Sequence, residues 1–259
     1  MRSDRTVDIA VLLPDLLGTY ADGGNAEILA QRSRWRDIPA RVLSVEVGHA
    51  LPTGCDLYVL GGGEDTAQDR AAQWLRRHRG GFAAVAEQAV TLAVCAGMQL
   101  LGHATWDRPG THRSGLGLLD LETHRAPERQ IGESVSACHL PAVGDLVGFH
   151  NHAGVSLLGS RTAPLGAALR GPANHPDTTD DGAIVGARGA VPHSGAGIVA
   201  TYMHGPVLAR NPALADHLLS RAVGTPLPPL DPTLLPDLPR LRDQYLHHRR
   251  RGCRRAWKR

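Results

Sequence analysis

The alternation of short apolar segments with amphipathic ones is the feature that most constrains the fold of this chain. Four apolar runs occupy residues 7–13, 40–47, 56–63 and 91–94, and the segments between them have the apolar spacing of surface helices. Strands that alternate with helices in this way form a parallel sheet covered on both faces. We therefore predict an α/β, flavodoxin-like or doubly wound domain with a mostly parallel sheet flanked by helices.

The pattern changes after residue 112. Short strand-like pieces separated by Gly, Pro and Asn follow in "GLGLLDLETH", "ESVSACHL", "DLVGFHN" and "GAIVG", and they predict a small antiparallel extension. Residues 195–205 return to a strand. A helix is then predicted from Asn211-Pro212 to Gly224, with proline at its first position and glycine just after its end.

The chain divides into one large domain, residues 1–224, and a C-terminal segment, residues 225–259. At 259 residues the chain is long enough to bury one sizeable core. Residues 225–240 contain six prolines, which predicts an extended strap or linker. Seven of the 28 basic residues lie in the last eleven positions. A solvated tail and a segment drawn to an anionic membrane surface both explain this cluster, whereas no aromatic-interleaved basic motif supports nucleic-acid binding.

Neither the N-terminus nor the cysteines indicate an exported protein. The first apolar run is interrupted by Asp8 and ended by Pro14, so it is too short for a signal peptide or a membrane span. The four cysteines lack CxxC spacing, which disfavours a zinc site or a redox pair and predicts free thiols. We expect a cytoplasmic protein that uses no metal and no cofactor.

Cys95 is the first candidate for chemistry. It directly follows the fourth apolar run and precedes a segment with helical spacing, at the edge where open α/β sheets bind ligands. Ala93 and Gly97, two residues before and after it, are as small as the tight strand-to-helix turn of a nucleophile elbow requires. A helix N-terminus at this place favours the thiolate. A buried structural cysteine is the alternative, and a second site is needed to decide between the two.

Two further segments supply that second site. Residues 61–63 are three glycines at the end of the third predicted strand, where bare backbone N–H groups can approach a substrate closely. His204 ends the strand in segment 195–205 and is a candidate general base at the same sheet edge. His150 and His152 are its rivals, although the residues around them resemble a surface turn and a metal pair is the less favoured interpretation.

These segments together resemble a known family. Residues 95–99, Cys-Ala-Gly-Met-Gln, match the C-x-G-x-Q nucleophile motif of class I glutamine amidotransferases. The resemblance extends from about residue 7 to residue 222. It is closest to the GatD-type glutaminase subunits of lipid II isoglutaminyl synthase, near the cobyric-acid-synthase branch, in the blocks "YADGGNAEIL", "DLYVLGGGEDTAQ", "ERQIGE", "GFHNHAG" and "TYMHGPVLARNP".

The resemblance implies a role for each candidate residue. Cys95 would attack the side-chain amide of L-glutamine, forming a γ-glutamyl thioester and releasing ammonia, and His204 would serve as general base and acid. Gln99 would contact the bound glutamine, and Arg129 of the "ERQIGE" block would pair with its α-carboxylate. The oxyanion hole would consist of the N–H of Ala96 and one N–H from Gly61, Gly62 and Gly63.

One position departs from the usual class I pattern. That pattern has a glutamate two positions after the histidine, and Pro206 takes its place here. Three options follow for the third triad member. It is a carboxylate from elsewhere in the chain, it is a carboxylate donated by a partner subunit, or the site is a dyad without a third member. We expect the partner to supply it, which predicts weak glutaminase activity in the isolated chain.

By the same resemblance, the partner in a heterodimer is an ATP-dependent, Mur-ligase-like subunit of the MurT type. It would use the ammonia to amidate the D-glutamate of the lipid II stem peptide to D-isoglutamine. The chain itself has neither a GxGxxG nor a Walker motif. The alternatives are a cobyric-acid-type amidotransferase, a non-catalytic glutaminase-like scaffold and a cysteine hydrolase of similar fold.

Overall fold

The first hundred residues contain four strands and four helices, which alternate except that β3 directly follows β2 and α3 directly follows α2. The computed structural model describes residues 5–108, 111–186 and 196–247. The third strand ends before the three glycines, so these form a loop at its carboxyl end. In chain order the elements are β1 (Val7–Leu12), α1 (Gly24–Arg34), β2 (Ala40–Val45), β3 (Leu57–Leu60), α2 (Asp65–Arg77), α3 (Arg79–Ala86), β4 (Val90–Val94) and α4 (Ala96–Leu101).

The second half of the chain is mainly β-structure. Nine further strands precede the last helices in the described ranges. They are β5 (Ala104–Arg108), β6 (Thr111–Ser114), β7 (Leu121–Cys138), β8 (Asp145–Leu158), β9 (Gly166–Arg170), β10 (Asp180–Asp181), β11 (Ala183–Val185), β12 (Gly197–Thr201) and β13 (Met203–His204), followed by α5 (Val207–Arg210), α6 (Pro212–Val223) and α7 (Leu238–His247).

A six-stranded sheet forms the centre of the molecule, in the order β11-β12-β4-β3-β1-β2. All neighbouring strands are parallel except β11, which runs antiparallel to β12 at the edge. Strands β3, β4 and β12 are buried along their whole length, as expected where both faces of a parallel sheet are covered. The predicted α/β fold with a mostly parallel sheet is confirmed.

The antiparallel extension is also present, but it is larger than the sequence suggests. Strands β7 and β8 form a long antiparallel pair within a second sheet, which also contains β5, β6, β9, β10 and β13. The pairing of β7 with β8 shifts register between Arg125 and Gln130, and a proline, Pro127, lies in that interval. Such a break makes one long strand look like several short pieces in the sequence.

The C-terminal part packs back on the domain. Helix α6 begins with Pro212 and is followed by Gly224, whose φ of 79° is left-handed, so the predicted proline and glycine positions are confirmed. Asn211 precedes the helix as predicted, but its side chain does not cap it and instead accepts the Val147 N–H. The proline-rich strap is tied down where Arg36 Nε donates to the Pro228 carbonyl at 2.8 Å. Helix α7, which begins at the end of the strap, was not predicted.

The basic cluster at 249–259 lies outside the described residues. Across the ranges that are described, no helix has the length and apolar character needed to span a bilayer.

Candidate active site

Cys95 lies on a strained turn between β4 and α4. Its φ of 51° and ψ of −104° are rare for a residue with a side chain. The turn brings the chain so close to β3 that a Cβ on Gly97 would lie 2.8 Å from both the Cβ and the carbonyl oxygen of Leu60. Only glycine fits there, which is the steric condition of a nucleophile elbow. The thiol is 9% exposed and lines a cavity.

His204 reaches the same sheet edge by way of β12. This strand runs parallel to β4, with Thr201 opposite Val94, so both strands end at the same level. The chain then joins the second sheet as β13 and places the His204 side chain, 1% exposed, over the glycine loop. A Cβ on Gly62 would lie 2.7 Å from His204 Cε1 and 3.4 Å from the Cβ of Cys95. The two side chains therefore meet above Gly62.

Asp22 provides the carboxylate that the sequence interpretation sought elsewhere. Its Oδ2 and Oδ1 lie 3.0 Å and 3.2 Å from His204 Nδ1, and the side chain is completely buried. Oδ2 also accepts the Gly62 N–H at 2.8 Å. Asp22 lies in the loop after β1, which is two strands away from β4 in the sheet. The expectation that a partner subunit supplies the third triad member is therefore wrong for this structure.

The surroundings of His204 favour its protonated form. Burial lowers its pKa, but the Asp22 carboxylate and Cys95 outweigh that effect and raise the pKa to about 9. Because Nδ1 donates to Asp22, Nε2 is the nitrogen left for chemistry. Nε2 is buried and makes no hydrogen bond of standard geometry with the described residues, although Cys95 lies near enough to raise the pKa of the ring. The arrangement can move a proton between the thiol and the imidazole.

The three glycines are required mainly by the packing of the chain on itself. A Cβ on Gly61 would lie 2.1 Å from the Leu17 carbonyl oxygen, and one on Gly63 would lie 2.7 Å from that of Leu16. The loop after β1 thus presses on the glycine loop and delivers Asp22 into the site. The sequence interpretation had assigned this bare backbone to substrate contact alone.

The geometry of the glycine loop limits which N–H groups can donate to a substrate oxyanion. The Gly62 N–H is committed to the Asp22 carboxylate, so it is not free for a substrate oxygen. Gly63 lines the cavity, and Ala96 is the first residue of α4, where a helix leaves its N–H groups without intrahelical acceptors. Of the three glycines, only Gly63 lines the cavity, so Gly63 and Ala96 are the donors that we carry into the proposal below.

Gln99 and Arg129 line the cavity together with Cys95 and His204. Gln99 is 6% exposed, and its Nε2 donates to the Tyr202 hydroxyl at 3.0 Å, which leaves its Oε1 free for a ligand. Arg129 is exposed at the rim and donates to Asn151. Five of the predicted site residues thus line one cavity, which are Cys95, His204, Gln99, Arg129 and Gly63, whereas Gly61, Gly62 and Ala96 are their chain neighbours and do not line it.

His150 and His152 do not lie on a surface turn, so that prediction is wrong. Both are buried in β8; His152 Nδ1 donates to the Gly154 carbonyl at 2.7 Å, and its Nε2 accepts from His150 Nδ1 at 3.2 Å. Burial lowers the pKa of each to about 3, so both are neutral. In the part of the chain that is described, no three His, Cys, Asp or Glu side chains are grouped to hold a metal ion.

Four residues of the site escaped the sequence interpretation: Asp22, Tyr20, Asn151 and Tyr202. Asp22 carried a usable signal, because it follows the first strand and so lies at the carboxyl edge of the sheet. In a single sequence, however, the Asp-Gly-Gly run at residues 22–24 is equally typical of a turn. The other three have no signal in a single sequence.

A cysteine on a strand-to-helix turn, with histidine and aspartate beside it at the carboxyl edge of a parallel sheet, defines a class I, triad-type glutamine amidotransferase. Residues 8–212 match the CobB/CobQ-like glutamine amidotransferase domain, and the chain belongs to this family. A solved structure of a glutamine amidotransferase shares the fold, with a TM-score of 0.55 and 18% identity over 83% of this chain and 98% of that one.

Two relatives cover most of the chain. The lipid II isoglutaminyl synthase (glutamine-hydrolyzing) subunit GatD of Staphylococcus aureus is 30% identical over 212 residues, which is 81% of this chain and 82% of the relative. The corresponding GatD subunit of Streptococcus pneumoniae is 27% identical over 84% of this chain and 80% of its own length. A cobyric acid synthase of Rhizobium rhizogenes is 33% identical over 172 residues, which is 31% of that relative.

Proposed function

We propose that this glutamine amidotransferase hydrolyses L-glutamine through a thioester on Cys95 and supplies the ammonia to a partner ligase in the synthesis of lipid II isoglutamine. The placement of Cys95, His204 and Asp22 around one cavity is the observation that carries the proposal. The names of the two GatD relatives support the pathway.

Acylation starts from the form in which the thiol proton already lies on His204 Nε2, the protonated form that Asp22 and Cys95 favour. The thiolate attacks the side-chain carbonyl carbon of glutamine, and the developing oxyanion accepts hydrogen bonds from the N–H groups of Ala96 and Gly63. The imidazolium, held by Asp22, then gives its proton to the leaving nitrogen, so that ammonia departs and the γ-glutamyl thioester remains. A proton taken from sulfur is thus returned to nitrogen.

Deacylation repeats the steps with water as nucleophile. His204 removes a proton from water as the oxygen attacks the thioester carbonyl, and the same N–H groups stabilise the second oxyanion. The carbon–sulfur bond breaks, the proton returns to Cys95, and glutamate leaves. Glutamine and water give glutamate and ammonia, with the enzyme restored.

The cavity has the polar groups that an amino-acid substrate needs. Arg129 would pair through two N–H groups with the α-carboxylate, which suits a guanidinium at the rim. Gln99, oriented by Tyr202, would present its Oε1 to the substrate. These two contacts favour glutamine over an unspecific amide.

The partner in this proposal is a MurT-like, ATP-dependent Mur ligase in a heterodimer with this chain. It would use ammonia to convert the D-glutamate of the lipid II stem peptide to D-isoglutamine. We assign catalysis to the domain 1–224 and attach no catalytic role to the segment 225–259, whose basic end would lie near the anionic membrane surface that holds lipid II.

The test is to incubate the full chain with glutamine, alone and with a MurT-type ligase, ATP and lipid II. We expect glutamate release in both samples and amidated lipid II only in the second. With Cys95→Ala we expect neither product. Absence of glutamate release in both samples, with no labelling of Cys95 by the glutamine analogue 6-diazo-5-oxo-L-norleucine, would favour the non-catalytic scaffold. Glutamate release without amidation of lipid II would contradict the proposed pathway but would still support the glutaminase activity.

A further inference from the structure

Tyr20 has no role in the steps above, yet its ring lies against the catalytic base. The ring centroids of Tyr20 and His204 are 4.7 Å apart, with the planes tilted by 54°. Tyr20 is 40% exposed and lines the cavity that holds Cys95. An exposed aromatic side chain packed on a buried imidazole covers that imidazole from the solvent side.

The hydroxyl of Tyr20 is linked to the rim of the cavity. It accepts a hydrogen bond from Asn151 Nδ2 at 2.5 Å. Asn151 in turn accepts from Arg129 twice, from Nε through its side-chain oxygen and from NH2 through its carbonyl at 3.3 Å. Asn151 is the only hydrogen-bond partner of the Arg129 guanidinium among the described residues. The orientation of Arg129 therefore depends on a contact that Tyr20 holds in place.

The backbone at Tyr20 is fixed in a disfavoured conformation. Tyr20 and Ala21 have φ values of 61° and 59°, although both carry side chains. Two successive left-handed residues persist only where the surroundings determine them, and such conformations cluster at functional sites. The next residue is Asp22, which binds His204 Nδ1. One loop thus places a carboxylate on one nitrogen of the base and an aromatic ring on its face.

We propose that Tyr20 is a positioning residue that ties the site of the glutamine α-carboxylate to the catalytic base. Its hydroxyl holds Arg129 through Asn151, and its ring holds His204. The proposal rests on the proposed glutaminase function and on the role given to Arg129 there. The Tyr20 side chain then has two functions. Its hydroxyl supports substrate binding, and its ring supports the reactivity of the Cys95–His204 pair.

Two substitutions separate these functions. Tyr20→Phe keeps the ring and removes the link to Asn151, so KM for glutamine should rise about fivefold, the loss typical of one hydrogen bond, while kcat stays within twofold. Tyr20→Leu also removes the ring, so kcat should fall in addition. Asn151→Ala should match Tyr20→Phe, and the double variant should be no worse than either single one because both break the same link. Tyr245→Phe, on helix α7 and outside the residues that line the cavity, is the matched control.

Covalent labelling of Cys95 supplies a readout that a purely structural role would not change. Inactivation by 6-diazo-5-oxo-L-norleucine, which carries an α-carboxylate, should weaken in Tyr20→Phe, whereas the rate with iodoacetamide, which lacks one, should stay at the parent value. In Tyr20→Leu both rates should change. Parent-like KM and labelling in Tyr20→Phe, or equal losses with both reagents, would overturn the proposal. A parent enzyme that neither releases glutamate nor reacts with the glutamine analogue would instead overturn the glutaminase function.

Discussion

Replacement of Asp22 by asparagine tests the triad at its least expected member. The variant keeps the size of the side chain but removes the charge beside His204 Nδ1. Its amide oxygen can still accept a hydrogen bond, but its NH2 group takes the place of one of the two carboxylate oxygens that now lie 3.0 Å and 3.2 Å from Nδ1. The pKa of His204 rises from 6.5 to about 9, with Asp22 as the largest cause that raises it. A rise of that size is worth about 3 kcal/mol in favour of the imidazolium. We expect kcat to fall about 10²- to 10⁴-fold, the range typical of triads that lose this carboxylate.

The assay is glutamate release by the full chain without a partner, for Asp22→Asn, the parent and Asp15→Asn. Asp15 is an exposed carboxylate in the same loop after β1, and its variant should match the parent. Unfolding in urea would show whether Asp22→Asn remains folded. A folded Asp22→Asn with parent activity would refute the assignment, because it would mean that His204 needs no carboxylate from this chain.

Two further predictions concern buried groups around the site. Gly62→Ala would place a Cβ 2.7 Å from His204 Cε1, so kcat should fall about 10²-fold through displacement of the base, whereas Gly48→Ala, with nothing within 4 Å, should leave it unchanged; a fully active Gly62→Ala would contradict the geometry. Burial raises the pKa of Asp181 from 3.8 to about 6, so this group stabilises the fold fully below pH 3.8 and loses that contribution as the pH rises through about 6. The unfolding free energy of the parent relative to Asp181→Asn should therefore fall by up to about 3 kcal/mol between pH 4 and pH 7, and a difference that does not change with pH would disprove it.

The parts of the fold that local sequence determines were predictable. Apolar spacing predicts the first four strands of the parallel sheet. Proline and glycine placement predicts the ends of the helix at 212–223, and the small residue at position 97 predicts the turn at Cys95. Gly97 is informative because its small size is visible in the sequence beside the cysteine, although the contact that requires it, with Leu60 of β3, is tertiary. The candidate nucleophile could therefore be picked out from the residues next to it in the chain.

The rest of the site depends on which strands become neighbours. Asp22 and His204 are 182 residues apart in the chain, and they meet because the sheet order places β1, β3, β4 and β12 side by side. Apolar patterning shows that a strand is buried but not what it pairs with, so Asp22 looked like one more turn residue. His150 and His152 were misplaced for a related reason. Their neighbours Asn and Gly suggest a turn, but the long pairing of β7 with β8 overrides that local preference.

The most direct measurement of the central claim, that this chain alone carries a complete glutaminase triad, is the mass of the protein after an acid quench during turnover of glutamine. With no partner present, a fraction of the parent chain should gain the mass of one γ-glutamyl group, located on the peptide that contains Cys95. The adduct should be absent from Cys95→Ala and strongly reduced in Asp22→Asn. An adduct that forms on Cys95 only after a ligase subunit is added would contradict the claim and restore the partner as the source of the missing group.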